Sequence, residues 1–346
     1  SAWGSVRDRH LAYVAGLAET ARDELYGTEQ RLWLERLELE HDNMRVALEW
    51  AFGGGSTDPG QRAETGLRLA AGIPRFWNGR GHLREGVGWL ERGLAAGPDC
   101  APAVRAEALS TLGWLVNMLG DTPRAKRLQL ESLALCRASG DERGMAEALD
   151  ALGDSAWFDG ALAEAKAYYT EGLALRRRLG NPSAIGLALY SLGRLEVDHG
   201  SVEEAQPLLE EALEILQRAG DPRGVALARN GLGRVALRRD DPAAADQLIR
   251  EALVTFAELG NRIDIPECLE ELAIVAATCG REVRASQLLG AASAMRTVTG
   301  ARFSVDEQEI ARLLLRISEN PEWKAALAEG NQMSQEQAVA EALYTP

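Results

Sequence analysis

Across residues 141–180 the apolar positions fall three and four apart. Met145, Ala148, Leu149 and Leu152 form one run, and Leu162, Ala165, Tyr169, Leu173 and Leu175 form the next. Each run is one face of an α-helix. Gly160 separates the two and Gly180 ends them, so the segment reads as a hairpin of two helices. The pattern then recurs with a period of about 40 residues, within the range of helix-hairpin repeats. Leu112-Gly113, Leu152-Gly153, Leu192-Gly193 and Leu232-Gly233 are one column, with Leu272-Ala273 as a fifth member. Gly140, Gly180, Gly220, Gly260 and Gly300 are a second, and Gly120, Gly160, Gly200 and Gly280 a third, with Asp240 in the gap. A fourth is all alanine, at Ala125, Ala165, Ala205, Ala245 and Ala285. Self-similarity at such a period means a solenoid, in which each unit buries its apolar face against its neighbours. Helices of roughly 16 to 18 residues would each run about 25 Å.

The punctuation has a mechanism. Glycine adopts the left-handed backbone that closes a helix C-terminus, and Asp or Asn then caps the next N-terminus. Asp141, Asn181-Pro182, Asp221-Pro222 and Asp241-Pro242 stand at such starts, and Ser201 through Glu204 reads as a capping box. Gly113, Gly153, Gly193 and Gly233 lie in mid-helix, where glycine costs ~1 kcal/mol relative to alanine. That cost points to a second helix pressed close against the backbone, with the alanine column as its matching surface.

Four segments follow. Residues 1–60 read as a helical connector and loop: one helix from Val6 to Tyr26, a second from Glu29 to Phe52, and a loop from Gly53 to Gly60. Residues 61–102 read as a degenerate first repeat, 103–300 as five full repeats, and 301–346 as capping helices starting near Pro321 and Ser334.

The order Leu-x-x-Leu-Gly, a Gly seven on and an Ala five further, met by Leu149, Leu152-Gly153, Gly160, Ala165 and Tyr169, resembles the tetratricopeptide repeat. Gly172 takes the last small position. The unit departs from that family in its length, about 40 residues rather than about 34, and in lacking the terminal proline. Armadillo and HEAT units also run to about 40 residues, but they lack this small-residue code. The resemblance implies an all-α, right-handed superhelical solenoid of antiparallel helix hairpins. Trp33 through Glu40-His41-Asp42-Asn43 to Trp50, Gln287 to Ala292 with Thr299-Gly300, and Glu336 to Ala340 resemble the C-terminal regions of bacterial STAND signalling ATPases. These include LuxR-type and AfsR-type regulators. That second resemblance implies a sensor arm without ATPase or DNA-binding modules of its own. No G-x-x-x-x-G-K-[ST] loop occurs, and none of Lys126, Lys166 and Lys324 follows a glycine.

Composition narrows the chemistry. The hydrophobic content of 46% supports a continuous core, and 5% aromatics make it a core of leucine and alanine. A net charge of −14 argues against a nucleic-acid footprint. Arg176-Arg177-Arg178 and Arg238-Arg239 read as solvated helix faces, and 35 arginines against three lysines as codon bias. Cys100, Cys136, Cys268 and Cys279 form no C-x-x-C pair and read as buried free thiols of a reducing cytosol. No signal peptide or long apolar run occurs, so a cytoplasmic protein is expected; Ser1-Ala2 reads as a cloning remnant.

No catalytic set presents itself. Glu40, His41 and Asp42 are helix neighbours that point apart, and His10, His82 and His199 are isolated in sequence. Gly79-Arg80-Gly81 lacks the strand a phosphate loop needs. No metal ligand set and no cofactor site is expected. Counting from the glycine column, the first helices should present three rows to a concave groove. They are Trp114, Asp154, Arg194 and Arg234; Trp77, Asn117, Trp157, Val197 and Leu237; and Ser110, Asp150, Tyr190, Asn230 and Glu270. Aromatic planes among carboxylates and guanidinium groups suit a ligand; the same residues could instead pair with each other and solvate the groove. The expected site is Trp77, Trp114, Asn117, Asp150, Asp154, Trp157, Tyr190, Arg194, Asn230 and Arg234. The expected role is a non-catalytic sensing or interaction module of a larger regulator, binding a protein, peptide or small effector but neither nucleic acid nor membrane. A stand-alone repeat scaffold is the alternative.

Overall fold

The computed structural model describes residues 2–53, 59–302 and 307–344, and every regular element among them is an α-helix. Most of the expected glycine-rich loop, 54–58, lies outside the described residues. Contacts divide the chain into two compact units, Ser1–Asn78 with His82–Ala188, and Gly79–Gly81 with Leu189–Pro346.

In the first unit α1 (Ala2–Glu24) packs on α3 (His41–Phe52) and α4 (Pro59–Ala71), and α2 (Gln30–Leu39) precedes α3. The single helix expected from Glu29 to Phe52 is therefore two. Glu40, at φ −90° and ψ 2°, breaks it. Buried Gln30, Leu34, Leu37, His41, Met44, Leu48 and Ala51 continue one stripe across the break, so the apolar period carries no mark of it. The segment 61–102, expected as a degenerate repeat, holds most of α4, then α5 (Pro74–Gly79) and α6 (Leu83–Ala96). Pro74 has no N–H to continue α4, and a new helix starts there instead.

From Pro102 the alternation is regular. α7 (Pro102–Met118) pairs with α8 (Thr122–Ser139), and α9 (Glu142–Phe158) with α10 (Leu162–Leu179). The boundary between units falls inside α11 (Pro182–His199). The second unit continues with α12 (Val202–Ala219), α13 (Pro222–Arg238), α14 (Pro242–Glu258), α15 (Asp264–Thr278) and α16 (Glu282–Thr299). Three shorter helices follow, α17 (Glu307–Glu319), α18 (Pro321–Gly330) and α19 (Gln335–Leu343). α18 lies so close to α16 that a Cβ on Gly290 would strike the Leu327 carbonyl oxygen.

The caps fall where the sequence placed them. Gly140, Gly180, Gly220, Gly260 and Gly300 have φ of 73, 73, 68, 62 and 73°. Asp240, at φ 59°, is the only non-glycine residue in that left-handed region among the described residues, and it fills the gap in the third column. Asp121, Asp141, Asp221 and Asp241 each accept a hydrogen bond from the backbone N–H three residues on. Ser201 caps α12 through Glu203 N rather than the N–H of Glu204, so the expected box is a single cap; the reciprocal box forms at Ser334 and Gln337.

The glycine column is a set of close contacts. A Cβ on Gly113, Gly153, Gly193 or Gly233 would lie 2.5, 2.5, 2.7 or 2.6 Å from Gln129, Tyr169, Leu209 or Ile249, in each case the residue at the same place in the following helix. The facing alanines, Ala125, Ala165, Ala205, Ala245 and Ala285, are all fully buried.

Candidate functional site

Burial sorts the ten expected site residues. In the first unit Trp77 is wholly buried and its Nε1 donates to Ala70 O at 2.8 Å. It packs on Phe76 and His41 as a core residue, which corrects its place in a groove row: the short helix α5 turns that position inward. Asn117 is 2% exposed, with Oδ1 lacking a hydrogen bond. Trp157 is 9% exposed and rests on Phe158, ring centroids 4.6 Å apart. Trp114, Asp150 and Asp154 are half-buried. Asp154 accepts from the Tyr169 hydroxyl at 2.6 Å, and Asp150 Oδ2 accepts from Arg176 Nε at 2.9 Å. Both acids are thus engaged inside their own hairpin, α9–α10.

The second unit concentrates charge. α11 supplies Tyr190, Arg194 and Asp198; α13 supplies Arg223, Asn230 and Arg234; α15 supplies Asp264, Glu267, Glu270 and Glu271. These positions recur because the first helices repeat at one fixed period, so Tyr190, Asn230 and Glu270 share one register and Arg194 and Arg234 another. Arg234 is 6% exposed, pairs with Asp198 through Nη2 and lies 3.4 Å from Glu271 Oε1 through Nε. Arg223 binds Asp264 through two nitrogens, at 2.8 and 3.2 Å. Arg296 of α16 binds Glu270 through two, at 2.5 and 2.6 Å. Arg194 lies over the Tyr190 ring, 5.7 Å from its centroid. Arg234 Nη1 and Asp198 Oδ2 are buried and donate or accept no hydrogen bond.

Burial pushes the Asp198, Glu270 and Glu271 carboxyls above their ordinary range, the neighbouring guanidinium groups opposing it only in part. Burial likewise drives the Cys268 thiol well above its usual value, which removes it as a nucleophile. The expectation of buried thiols holds for Cys136 and Cys268; Cys100 is half-buried and Cys279, just past the end of α15, is exposed.

Asp198, Arg223, Asp264, Glu267, Glu271 and Arg296 were missed by the sequence reading, which took charge as a mark of solvent. One signal was available. Asp150–Arg176 and Glu270–Arg296 are the same pair three repeats apart, each joining positions 26 residues apart in the chain. Two other features lie away from the expected site. A cleft of about 130 Å³ in the first unit is lined by Arg22, Arg68, Arg143, Glu107 and Glu147, and of the groove rows by Ser110 alone. It is well below the ~300 Å³ of a drug-sized site. The fold also brings together Glu38, His41 and His82, although His82 is isolated from the other two in sequence.

Stacked helix hairpins, caps at a fixed period and small residues at each crossing define a tetratricopeptide-type repeat protein. The family model described as the MalT-like TPR region matches residues 76–343, and the chain belongs to that family. A protein of Mycobacterium tuberculosis H37Rv named as an HTH-type transcriptional regulator is 33% identical over 144 residues, covering 39% of this chain and 16% of the relative. A Mycobacterium bovis protein of the same description matches equally, so the chain answers to only a small part, 16%, of these relatives' length. Among solved structures, the apo form of RapI is similar over 78% of this chain and 96% of its own, at 14% identity and TM-score 0.60. The Rap conjugation gene regulator of plasmid pLS20, in complex with the Phr* peptide, covers 96% of this chain and 98% of its own, at 12% identity and TM-score 0.55. A STAND protein with a tetratricopeptide repeat sensor from Pyrococcus horikoshii covers 88% of this chain and 55% of its own, at 16% identity and TM-score 0.50. These likenesses establish the fold. Among the described residues no helix is long and apolar enough to cross a membrane.

Proposed function

We propose that this chain is a non-catalytic, cytoplasmic sensing module of a larger regulator, and that it binds a peptide or a protein segment on the polar face of α11, α13 and α15. Arg194, half-buried, is the residue assigned to direct contact, with the buried Tyr190 (6% exposed), Asn230 (3%) and Arg234 (6%) packed behind it. The observation that carries this reading is the buried charge of Arg234 and Asp198, each with an atom that makes no hydrogen bond. A buried ion pair is often no more stabilising than apolar side chains of the same volume, so folding alone gives little reason to keep one unfinished. A partner supplying a donor to Asp198 Oδ2 and an acceptor to Arg234 Nη1 would finish it. The Rap regulator in complex with the Phr* peptide supports a peptide partner on this fold. The regulator relatives support a place in a longer signalling chain.

The test is a thermal-shift and calorimetric screen of the whole chain against a library of short synthetic peptides, with Arg194→Ala and Asn230→Ala in parallel. A binding peptide whose affinity falls about 30-fold in Arg194→Ala, the ~2 kcal/mol of an interface hot spot, meets the expectation. Binders indifferent to both substitutions, or none in the library, would remove the assignment.

A further inference from the structure

We propose that Glu38, His41 and His82, in the first unit, form a binding site for a zinc ion. Each side chain offers one ligand atom, and the three atoms lie within 4.8 Å of one another. Two imidazoles and one carboxylate are a donor set zinc accepts, with a fourth position left for water. Tetrahedral bonds of ~2.0–2.1 Å set ligand atoms ~3.3 Å apart. Glu38 Oε2 and His82 Nε2 already stand 3.4 Å apart, one such edge. The other two edges end on His41 and lie within 4.8 Å; Glu38, whose side chain is 41% exposed, has room to swing toward one of them.

The two imidazoles are held for the purpose by what surrounds them. Their ring centroids lie 4.3 Å apart, and Phe76 packs against both, at 5.2 Å from His41 and 5.4 Å from His82. His41 is 7% exposed, and its Nε2 makes no hydrogen bond although Glu85 Oε1 lies 3.2 Å away. Glu85 itself is committed. Arg45 holds both its oxygens at 2.7 Å, and Trp89 Nε1 donates to Oε1 at 3.1 Å. With Nε2 turned toward Glu85, the zinc ligand is Nδ1, and Glu85 is the carboxylate that orients the ligating imidazole. The bound ion would tie the break at Glu40, between α2 and α3, to the start of α6, where His82 precedes Leu83. Two elements that sequence period alone leaves unfastened would then share one joint.

The experiment is titration of the metal-free, full chain with Zn²⁺ by calorimetry and with Co²⁺ by visible absorption, using the wild type, Glu38→Gln, His82→Ala and Glu85→Gln. Expected are one equivalent of Zn²⁺ and the strong d–d bands of tetrahedral Co²⁺. Affinity should fall more than about 100-fold in His82→Ala and Glu38→Gln and about 10-fold in Glu85→Gln, which acts only through His41. Glu38→Gln changes a partly exposed side chain, so it keeps the test valid if circular dichroism shows His82→Ala to be unfolded. No Zn²⁺ binding at micromolar concentration would overturn the proposal. So would stoichiometric binding that survives Glu38→Gln, which would place the ion elsewhere, at His10 or His199. Peptide binding on α11, α13 and α15 is independent of either result.

Discussion

Replacing Arg234 by methionine is the sharpest probe of the buried charge network. The methionine keeps most of the side-chain volume, so little of the loss would come from a cavity. What disappears is the guanidinium that pairs with both Asp198 and Glu271. Those carboxylates are 8% and 1% exposed, and removing one partner of such a pair costs ~3–5 kcal/mol. Replacing all three, as Arg234→Met with Asp198→Leu and Glu271→Leu, removes the guanidinium and both of its paired carboxylates together and should recover most of that loss. Urea unfolding followed by circular dichroism gives the comparison. A repeat array can open in pieces, so hydrogen exchange on α13 should be read beside it. The loss in Arg234→Met should also shrink as pH is lowered, because Asp198 and Glu271 then take protons and lose their charge. If Arg234→Met unfolded at the wild-type midpoint at pH 7, the network would be carrying no unbalanced charge. A partner would then have nothing there to complete, against the function proposed above.

The same raised carboxyls give the wild type a pH signature. A carboxyl whose folded pKa is raised contributes stability below its unfolded value of about 4 and loses it as pH rises through the folded value. Asp198, Glu270 and Glu271 should thus make unfolding easier at pH 8 than at pH 5, and Glu271→Gln should flatten the trend. Gly233→Ala sets a Cβ 2.6 Å from Ile249 Cγ1. Overpacking of ~1–3 kcal/mol should outweigh the ~1 kcal/mol helix gain. Adding Ile249→Ala should recover at least ~1 kcal/mol relative to the sum of the single changes, whereas additivity within ~0.5 kcal/mol would deny the contact. In thiol labelling of the folded protein Cys279 should react first and Cys268 last; equal rates would mean that α15 is not packed as described.

What the sequence revealed and what it hid have one physical origin. The hairpins were legible because caps and crossings each demand a small set of residue types at a fixed spacing, as Asp141, Gly140 and Gly153 show. The break at Glu40 was not, since Gln30 through Ala51 keep one buried stripe and no glycine or proline interrupts it. The candidate rows were legible as register, but not as environment. Asp150 and Glu270 occupy one register and each is held by an arginine of the helix that follows, yet Asp150 stays half-buried while Glu270 is 1% exposed. Trp77 fell in a groove row because the count assumed one unbroken first helix there. His82 looked solitary because the whole of α3, α4 and α5 lies between it and the start of α3 at His41.

The residues seated over the glycine column have a bearing on how such a chain avoids knotting itself into the wrong partnership. Repeats of near-identical outline invite a helix of one to dock with a helix of another, a familiar misassembly of tandem arrays. Here the seats are alike but the sitters are not: an amide at Gln129, a phenol at Tyr169, branched aliphatics at Leu209 and Ile249. Gln129 donates to Ser110 O at 2.7 Å and Tyr169 to Asp154 at 2.6 Å, both within their own hairpin. Where Asp154 stands, the next two repeats carry Arg194 and Arg234. Tyr169 misplaced there would find a second donor in place of its acceptor, and Leu209 misplaced over Gly153 would leave Asp154 without its donor. The hairpins α7–α8 and α9–α10 are thus keyed to themselves, and in them the symmetry of the repeats persists in the backbone without becoming freedom to exchange.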